Sequence, residues 1–415
     1  MARRRGMSAT SVPFVTRRLA VLTEGLTAPF WALWIGTLIT RAGAFVVPML
    51  FVYLTQACGL PLTVAGAVAA LYGFGSLLGT VAGGVLADHL GRRVTMLLSL
   101  VSGAVFMVAL GFATELWQLA PCTFLLGLTA DAYRPASQAL VADIVPAQHR
   151  LKAFTLQYWA INLGFSFAAL VAGYMAKRNF TLLFLGDAAT TLVLAGIIFA
   201  RVPESRPQPR PRAQAQSTVF TPFADRVFMP FVLLNFGVVL IFFQHLTGLP
   251  EDMRTKGLST QEFGMAVATN GVLIVLLQPF LTRWAAQVRR STLLAIAAAL
   301  TGLGFGLTHL ASTLPLFMIS VAVWTLGEII FAPVNASLVA DLSPAHLRGR
   351  YQGAFGVTWS LGAMLGPVAG PALIEATSLK TLWVTCLAVG LAIAFVHLTV
   401  SSRVLPAASP APESS

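Results

Sequence analysis

The chain has 415 residues, of which 57% are hydrophobic and only 10% are charged, and it carries a formal net charge of +12. In soluble domains about a quarter of the residues are charged, so this composition excludes an ordinary soluble protein and indicates a chain that crosses a lipid bilayer repeatedly. The three cysteines, Cys58, Cys122 and Cys386, are far apart and offer neither a disulfide framework nor a metal-ligand spacing.

Twelve apolar runs along the chain are long enough to cross a membrane, since a helical span needs about 20 mainly apolar residues. They predict an all-α membrane protein with transmembrane helices over residues 29–54, 62–86, 94–113, 117–141, 153–176, 180–201, 228–248, 263–281, 291–311, 315–339, 353–374 and 380–401.

Residues 202–227 interrupt the apolar pattern with several prolines among Arg, Gln and Ser side chains. This composition is typical of a flexible or polyproline-like linker. The linker divides the spans into two sets of six, which predicts an N-terminal unit over 29–201 and a C-terminal unit over 228–401. Residues 1–28 and 402–415 form the terminal segments.

Basic residues are distributed unequally between the two sides of the membrane. When the chain is threaded from a cytoplasmic N-terminus, the segments on that side hold twenty Lys and Arg residues, and the opposite loops hold five. This is the positive-inside asymmetry, and it predicts a multi-pass protein of the inner (cell) membrane with both termini and the linker in the cytoplasm. It also explains the net charge without a nucleic-acid partner.

The two sets of spans repeat one another. Residues 133–150 align without a gap on residues 331–348, at an offset of 198 that matches Asp143 with Asp341. The same offset matches Gly66, Gly73 and Gly164 with Gly264, Gly271 and Gly362. Such a repeat predicts two six-helix bundles related by a pseudo-two-fold axis normal to the membrane.

A short charged loop joins the second span to the third and reads Gly84-Val-Leu-Ala-Asp88-His-Leu-Gly91-Arg92-Arg93. We expect Gly84 to allow close approach of backbones, Gly91 to form a tight turn, and Asp88 to pair with Arg92 four residues later. The loop resembles the pattern Gly-x-Leu-x-Asp-x-x-Gly-Arg-Arg between helices 2 and 3 of major facilitator superfamily transporters. That resemblance implies the twelve-helix fold of this superfamily and a transport function.

Acidic residues also precede basic ones at the ends of the fourth and tenth spans. We expect these sets, together with the loop, to control opening at the cytoplasmic face: Gly84, Asp88, Gly91, Arg92, Arg93, Asp143, Arg150, Asp341 and Arg348. In the second half Ala286 occupies the position that corresponds to Asp88, so we expect the second copy of the loop to have decayed.

Glycines recur at every fourth position in two spans, a spacing that favours close contact between membrane helices. We expect packing contacts at Gly75, Gly79, Gly83, Gly362, Gly366, Pro367 and Gly370. The second stripe resembles the glycine-proline motif of drug exporters of the superfamily, although those carry it in helix 5 and this chain carries it in the eleventh span. The helix-4 arginine of those exporters is also displaced, because Arg134 lies about two turns deeper.

Ionisable side chains inside spans are costly and mark pathways or pairing sites. Arg41, Asp131, Arg134 and Glu328 lie deep in the first, fourth and tenth spans, and we expect these four to form a charge-balanced cluster that binds substrate and couples it to protons. The seventh span adds polar candidates at Asn235, Gln244 and His245. The alternative is a static buried ion-pair network that only fixes helix packing.

These features favour a secondary transporter that works by rocker-switch alternating access and exports small apolar or amphipathic compounds in exchange for protons. One alternative is an importer or facilitator of a polar or anionic metabolite, in which Arg41 and Arg134 bind a carboxylate. Another is a transport-inactive sensor or scaffold. The chain lacks a phosphate-binding loop and a catalytic constellation, so we expect neither ATP, cofactor nor metal, and no enzyme activity. The expected partners are a small-molecule substrate, protons and the bilayer, and we expect a monomer.

Overall fold

The structure is a computed structural model that describes residues 25–146, 149–176, 179–205, 221–285, 287–344 and 348–401. Its long helical segments, in chain order, are α1 (Ala28–Ala57), α2 (Leu62–His89), α3 (Arg92–Phe112), α4 (Leu116–Ile144), α5 (Arg150–Ala176), α6 (Phe180–Arg201), α7 (Phe228–Thr255), α8 (Thr260–Ala285), α9 (Arg290–Leu307), α10 (Leu314–Leu342), α11 (Arg348–Ala376) and α12 (Leu379–Val396).

Eleven of these segments in the described part of the chain are long and apolar enough to cross a membrane. The remaining segment, α4, has 29 residues and therefore the necessary length, but it carries Asp131 and Arg134 near its middle. The expected all-α, multi-pass architecture is confirmed. Because successive helices alternate in direction, residues 28, 144, 201 and 228 lie at one end of the molecule, which we call the linker face. Residues 57, 112, 176 and 255 lie at the opposite end, the distal face.

Two equivalent seams join the N-terminal bundle (α1–α6) to the C-terminal bundle (α7–α12): α2 packs on α11, and α5 packs on α8. Gly66 lies against the backbone of Pro367 in the first seam, and Gly264 lies against Ala169 in the second. Both residues of the first contact differ from their counterparts by 198 positions, so the sequence repeat relates the two seams. The bundles therefore have a pseudo-two-fold relationship.

The distal half of the molecule is closed between the bundles, and the linker half is not. One buried apolar cluster near the distal face contains residues of both bundles, including Phe45, Met49, Ile241 and Met253. Nearer the linker face, the buried apolar residues form two separate clusters, one in each bundle. The bundles are therefore packed together near the distal face and have separate cores nearer the linker face, and we call the space between them there the cavity.

Helices α1 and α7 are both broken near mid-depth. Helix α1 consists of Ala28–Ala42 and Val46–Val52 with an irregular turn between them, and α7 consists of Phe228–Phe242 and Gly248–Thr255. Pro48 and Pro250 lie in the distal halves and cannot donate to the carbonyls four residues earlier, which interrupts each helix. Each break exposes backbone polar groups inside the membrane that other side chains must satisfy.

The two glycine stripes pack as close helix contacts. Gly75, Gly79 and Gly83 lie against backbone carbonyls of α4, and Gly362, Gly366 and Gly370 lie against side chains of α7. The close approach expected at Gly84 is not found, because a methyl group there would meet no atom of the described residues within 4 Å. Close approach instead occurs one residue earlier, at Gly83, which faces Ala132 across the α2–α4 contact.

Candidate functional site

A group of polar residues lines the N-terminal wall of the cavity. The carboxylate of Asp131 on α4 accepts a hydrogen bond from the hydroxyl of Ser76 on α2, and its other oxygen lies 3.9 Å from Arg134 Nη1. The side chain of Arg134 is 60% exposed and that of Asp131 is 16% exposed. This wall can therefore present a cation and an acceptor together.

Arg41 lies in the last turn of the first half of α1. Its Cβ packs where α5 comes close, 2.5 Å from the position that a Cβ on Gly164 would take. The neighbouring Thr40 donates a hydrogen bond to the Thr190 carbonyl of α6 at 3.2 Å. The residue thus stands at the junction of α1, α5 and α6, beside the break in α1.

Glu328 of α10 forms the polar point of the C-terminal wall. Its carboxylate accepts a hydrogen bond of 2.6 Å from the side-chain amide of Asn270, and Asn270 also donates to Thr325 at 3.0 Å. A small pocket beside the partly exposed carboxylate is lined by Val238, Val239, Phe242, Thr301, Phe331 and Trp359.

The aromatic part of this pocket is extensive. The ring centroid of Phe242 lies 5.5 Å from that of Trp324 and 5.6 Å from that of Trp359, and both pairs meet edge to face. Such rings offer a large apolar surface and negative faces that attract cations. The arrangement combines one carboxylate with an apolar, aromatic environment.

The structure therefore divides the four expected residues into two groups. Arg41, Asp131 and Arg134 belong to the N-terminal bundle, and Glu328 belongs to the C-terminal bundle, with an amide as its hydrogen-bond partner. Among the described residues, no lysine or arginine forms a salt bridge with Glu328. The four residues therefore do not form the expected charge-balanced cluster across the two halves. Glu328 instead accepts its hydrogen bond from the neutral amide of Asn270.

The polar residues of α7 occupy different environments. Gln244 lies at the break, where its amide donates to the carbonyls of Leu240 and Gly366 and its carbonyl accepts from Thr247. His245 is buried; its Nδ1 lies 2.6 Å from the Phe242 carbonyl, and its ring packs on Phe242. These contacts join α7 to α11 and to the aromatic pocket. Asn235 is buried nearer the linker face and donates to Phe231 of its own helix.

The charged loop after α2 is held by the start of the linker. Gly91 adopts φ +104°, a conformation that favours glycine, and a Cβ there would lie 2.5 Å from Glu204. The Glu204 carboxylate accepts hydrogen bonds from the backbone N–H groups of Arg93 and Val94 in the first turn of α3. An acidic group at this position satisfies free donors and complements the helix dipole.

Arg92 connects this loop to α4. Its guanidinium Nε lies 3.3 Å from Asp143, and one terminal nitrogen donates to the Ala87 carbonyl at 2.8 Å. Arg93 donates to the Phe199 carbonyl and lies over the Phe199 ring. At the corresponding place in the other bundle, Arg290 pairs with Asp341. The side chains of Asp88, Arg150 and Arg348 lie outside the described part of the structure.

Several site residues were not anticipated. Ser76 and Asn270 hold the two cavity carboxylates, and each is a polar residue in an otherwise apolar run, which is the signal that would have identified it. A further network near the distal face joins Asp252 to Lys256 at 3.1 Å and to the Trp383 indole at 2.9 Å. The described residues contain no group of three or more side chains suited to a metal ion.

Comparison with known proteins gives a consistent assignment. Residues 33–252 and 231–414 both match the family described as Major Facilitator Superfamily. The chain is 26% identical over 308 residues to the multidrug resistance protein MdtH of Cronobacter sakazakii, covering 71% of this chain and 73% of the relative. It is 24% identical over 362 residues to a Na(+), Li(+), K(+)/H(+) antiporter of Planococcus maritimus, covering 79% and 84%. A crystal structure of a POT family transporter with a thioalcohol-conjugated peptide shares the fold, with a TM-score of 0.78, 16% identity and coverage of 90% and 96%.

Proposed function

The chain belongs to the Major Facilitator Superfamily and is a multi-pass membrane transporter, and we propose that it exports small amphipathic cations in exchange for protons. The observation that carries the proposal is Glu328, a carboxylate at the cavity wall that is held by Asn270 and surrounded by Phe242, Phe331 and Trp359. Its relatives include an MdtH multidrug resistance protein and a cation/proton antiporter, and both support a proposal of drug export coupled to protons.

A single carboxylate can couple the movement of substrate to the movement of protons, because it cannot bind a proton and a cation tightly at the same time. In the ionised state it attracts a cation, and the aromatic rings bind the apolar part of the substrate. Protonation removes the negative charge and weakens that binding, so a proton displaces the substrate. Exchange then follows if the cavity opens to each side in turn.

The arrangement of the two bundles supplies the alternating access. The cavity lies nearer the linker face, and the positive-inside distribution assigns that face to the cytoplasm. Rocking about the α2–α11 and α5–α8 seams would separate the distal cluster and bring the linker ends of the bundles together. In this proposal the protein acts as a monomer in the inner membrane, with both termini cytoplasmic, and the proton gradient replaces ATP as the energy source.

One observation favours a second candidate. Arg134 is 60% exposed although it lies in the middle of α4, and a guanidinium presented to a cavity can bind a carboxylate with two hydrogen bonds. That geometry suits the import or facilitated passage of an anionic metabolite. Asp131 lies on the same face and competes for the guanidinium, so we rank this candidate second.

Proton flux separates the two candidates. Purified protein would be reconstituted into liposomes that contain a pH-sensitive dye and carry a pH gradient, and then exposed to tetraphenylphosphonium, ethidium or small carboxylic acids. Proton release that is elicited by the cations, and is absent from protein-free liposomes, supports cation/proton exchange. Proton movement elicited by the acids alone would contradict it and favour the anion importer.

A further inference from the structure

Asn270 of α8 connects the Glu328 carboxylate to a neighbouring helix. The Asn270 side chain is buried, and its amide nitrogen donates a hydrogen bond of 2.6 Å to Glu328 and one of 3.0 Å to the Thr325 hydroxyl. Both acceptors lie on α10, and Thr325 in turn donates to the Val321 carbonyl of that helix. Because the amide nitrogen carries two hydrogens, both of them hold α8 against the part of α10 that carries Glu328.

The next residue of α8 faces the other bundle. A Cβ on Gly271 would collide with the Ser166 side chain of α5, and Gly264 lies against the Ala169 carbonyl in the same seam. These contacts leave no free space between α8 and α5, and closely packed helices transmit displacements to one another. A shift of α8 on α10 would therefore be passed to α5 across the α5–α8 seam.

The N-terminal bundle has the same arrangement of helices at its own seam. Ser76 of α2 donates a hydrogen bond to the Asp131 carboxylate of α4. Gly73, three residues earlier on α2, lies against the backbone of Ala363 on α11. In each bundle, the helix that forms the seam therefore also donates a hydrogen bond to the carboxylate of the fourth helix.

The two hydrogen bonds are not copies of one another. At the 198-residue offset, Glu328 corresponds to Ala130 and Asp131 corresponds to Ile329, so neither carboxylate has a counterpart in the other bundle. Each bundle thus joins its second and fourth helices through a different carboxylate. Inheritance from the repeat does not explain this shared link, which indicates a common function at the seams.

The strength of such a link depends on the charge of the carboxylate. A hydrogen bond to an ionised acceptor is roughly twice as strong as one between neutral groups. A proton on Glu328 removes its negative charge, and a cationic substrate competes for the same oxygens. Either event weakens the hydrogen bond that Asn270 donates, and with it the attachment of α8 to α10.

We propose that Asn270 is a positioning residue that keeps the α5–α8 seam in its present arrangement, with the distal face closed, while Glu328 is ionised and unoccupied. A proton or a cation at Glu328 weakens the attachment and allows the distal face to open. The protein then changes conformation only with one of the two bound, which is the condition for obligatory exchange. This inference rests on the proposed function, since it takes Glu328 as the exchanging carboxylate.

The first test measures the separation of the distal ends without substrate. Spin labels are attached through Thr114→Cys and Lys380→Cys, at exposed distal positions of the two bundles, in a variant that lacks the native cysteines. At alkaline pH, where a carboxyl is ionised, Glu328→Gln and Asn270→Leu should each raise the distal-open population several-fold. The double variant should open no further than the larger single effect. Additive effects, or no effect of Asn270→Leu, would overturn the inference.

Thr269→Val is the matched control. The Thr269 hydroxyl donates to the Met265 carbonyl, so this hydrogen bond stays within α8, and the variant should leave the distal-open population unchanged. A shift in Thr269→Val equal to that in Asn270→Leu would overturn the inference. If Asn270→Leu does not fold, Asn270→Ala removes the same donor and decides.

The number of protons moved per tetraphenylphosphonium in liposomes separates this role from a purely structural one. Asn270→Leu should lose most of the proton movement per cation transported, because the empty protein can then return without a proton. A slower rate at the wild-type ratio would overturn the inference. The spin-label measurement needs neither substrate nor gradient, so it decides even if the wild type shows no proton movement with cations, the outcome that refutes the proposed function.

Discussion

Arg290 pairs with Asp341 at the linker face of the C-terminal bundle, just as Arg92 pairs with Asp143 at the N-terminal bundle 198 residues earlier. The expectation that the second copy of the charged loop had decayed was therefore too strong. Ala286 has replaced the counterpart of Asp88, but the ion pair between the start of one helix and the end of another remains. Both bundles keep this contact at the linker face.

The first prediction is that removing the Asp143 charge lowers both stability and the maximal transport rate. The Arg92 side chain is 8% exposed and that of Asp143 is 38% exposed, so Asp143→Asn leaves a largely buried guanidinium with a weaker partner. We expect a destabilisation of about 1–2 kcal/mol and a several-fold lower maximal transport rate. Asp341→Asn should act in the same way on Arg290. A change in KM at constant maximal rate would contradict a role in opening.

Two neighbouring glycines give a matched pair of substitutions. A Cβ on Gly83 would lie 2.6 Å from the Ala132 Cα and closer still to its carbonyl oxygen, whereas one on Gly84 would meet no atom of the described residues within 4 Å. Gly83→Ala should therefore destabilise the α2–α4 contact by about 1–3 kcal/mol. Gly84→Ala should be neutral or stabilising by about 0.5–1 kcal/mol because alanine favours the helix. Thermal unfolding in detergent measures both, and equal losses would refute the contact.

Closure of the distal face is tested by cross-linking. Thr260 donates to the Gln56 side chain at 3.0 Å, and the Thr63 N–H donates to Glu375 at 2.8 Å, so these groups join the two bundles. A Gln56→Cys, Thr260→Cys variant lacking the native cysteines should lose transport when treated with a short bifunctional thiol reagent. Each single-cysteine variant serves as the control. Full transport after verified cross-linking would show that the distal halves need not separate.

Asp225 predicts a dependence of stability on pH. Burial tends to raise the pKa of this carboxyl, but hydrogen bonds from Phe228 N–H, the Tyr351 hydroxyl and Val227 N–H outweigh it and hold the pKa below its usual range. A lowered folded-state pKa means that the stabilisation is present above the ordinary aspartate pKa and is lost as the pH falls through the folded value.

Asp225→Asn should accordingly cost about 1 kcal/mol at pH 7, because it weakens the cap at the start of α7 and the bond to Tyr351. The difference between the variant and the wild type should shrink as the pH is lowered toward 3. Unfolding measured over this range provides the check. A difference that stays constant with pH would mean that the Asp225 charge does not contribute.

The sequence predicted what depends on local pattern, and it missed what depends on packing. The sequence alone predicted the lengths of the spans and the 198-residue repeat, because both follow from the spacing of residues along the chain. It also predicted that Arg92 takes part in charged contacts at the linker face. The hydrogen bond from the Val46 N–H to Asp187 was not anticipated, since nothing in the α6 sequence indicates that this residue meets the break in α1. Glu204 was included in a flexible linker, although it caps α3. Partners supplied by another helix become visible only when the bundle is assembled.

A substitution at Glu328 tests directly whether this carboxylate exchanges a proton for a cationic substrate. In liposomes with an imposed pH gradient, Glu328→Gln should retain binding of tetraphenylphosphonium at reduced affinity but lose proton movement driven by the cation, because the amide cannot exchange a proton. Glu115→Gln, at the exposed distal start of α4, is the control and should behave as the wild type. Proton movement that persists in Glu328→Gln at the wild-type ratio to substrate would contradict the exchange of a cation for a proton at Glu328.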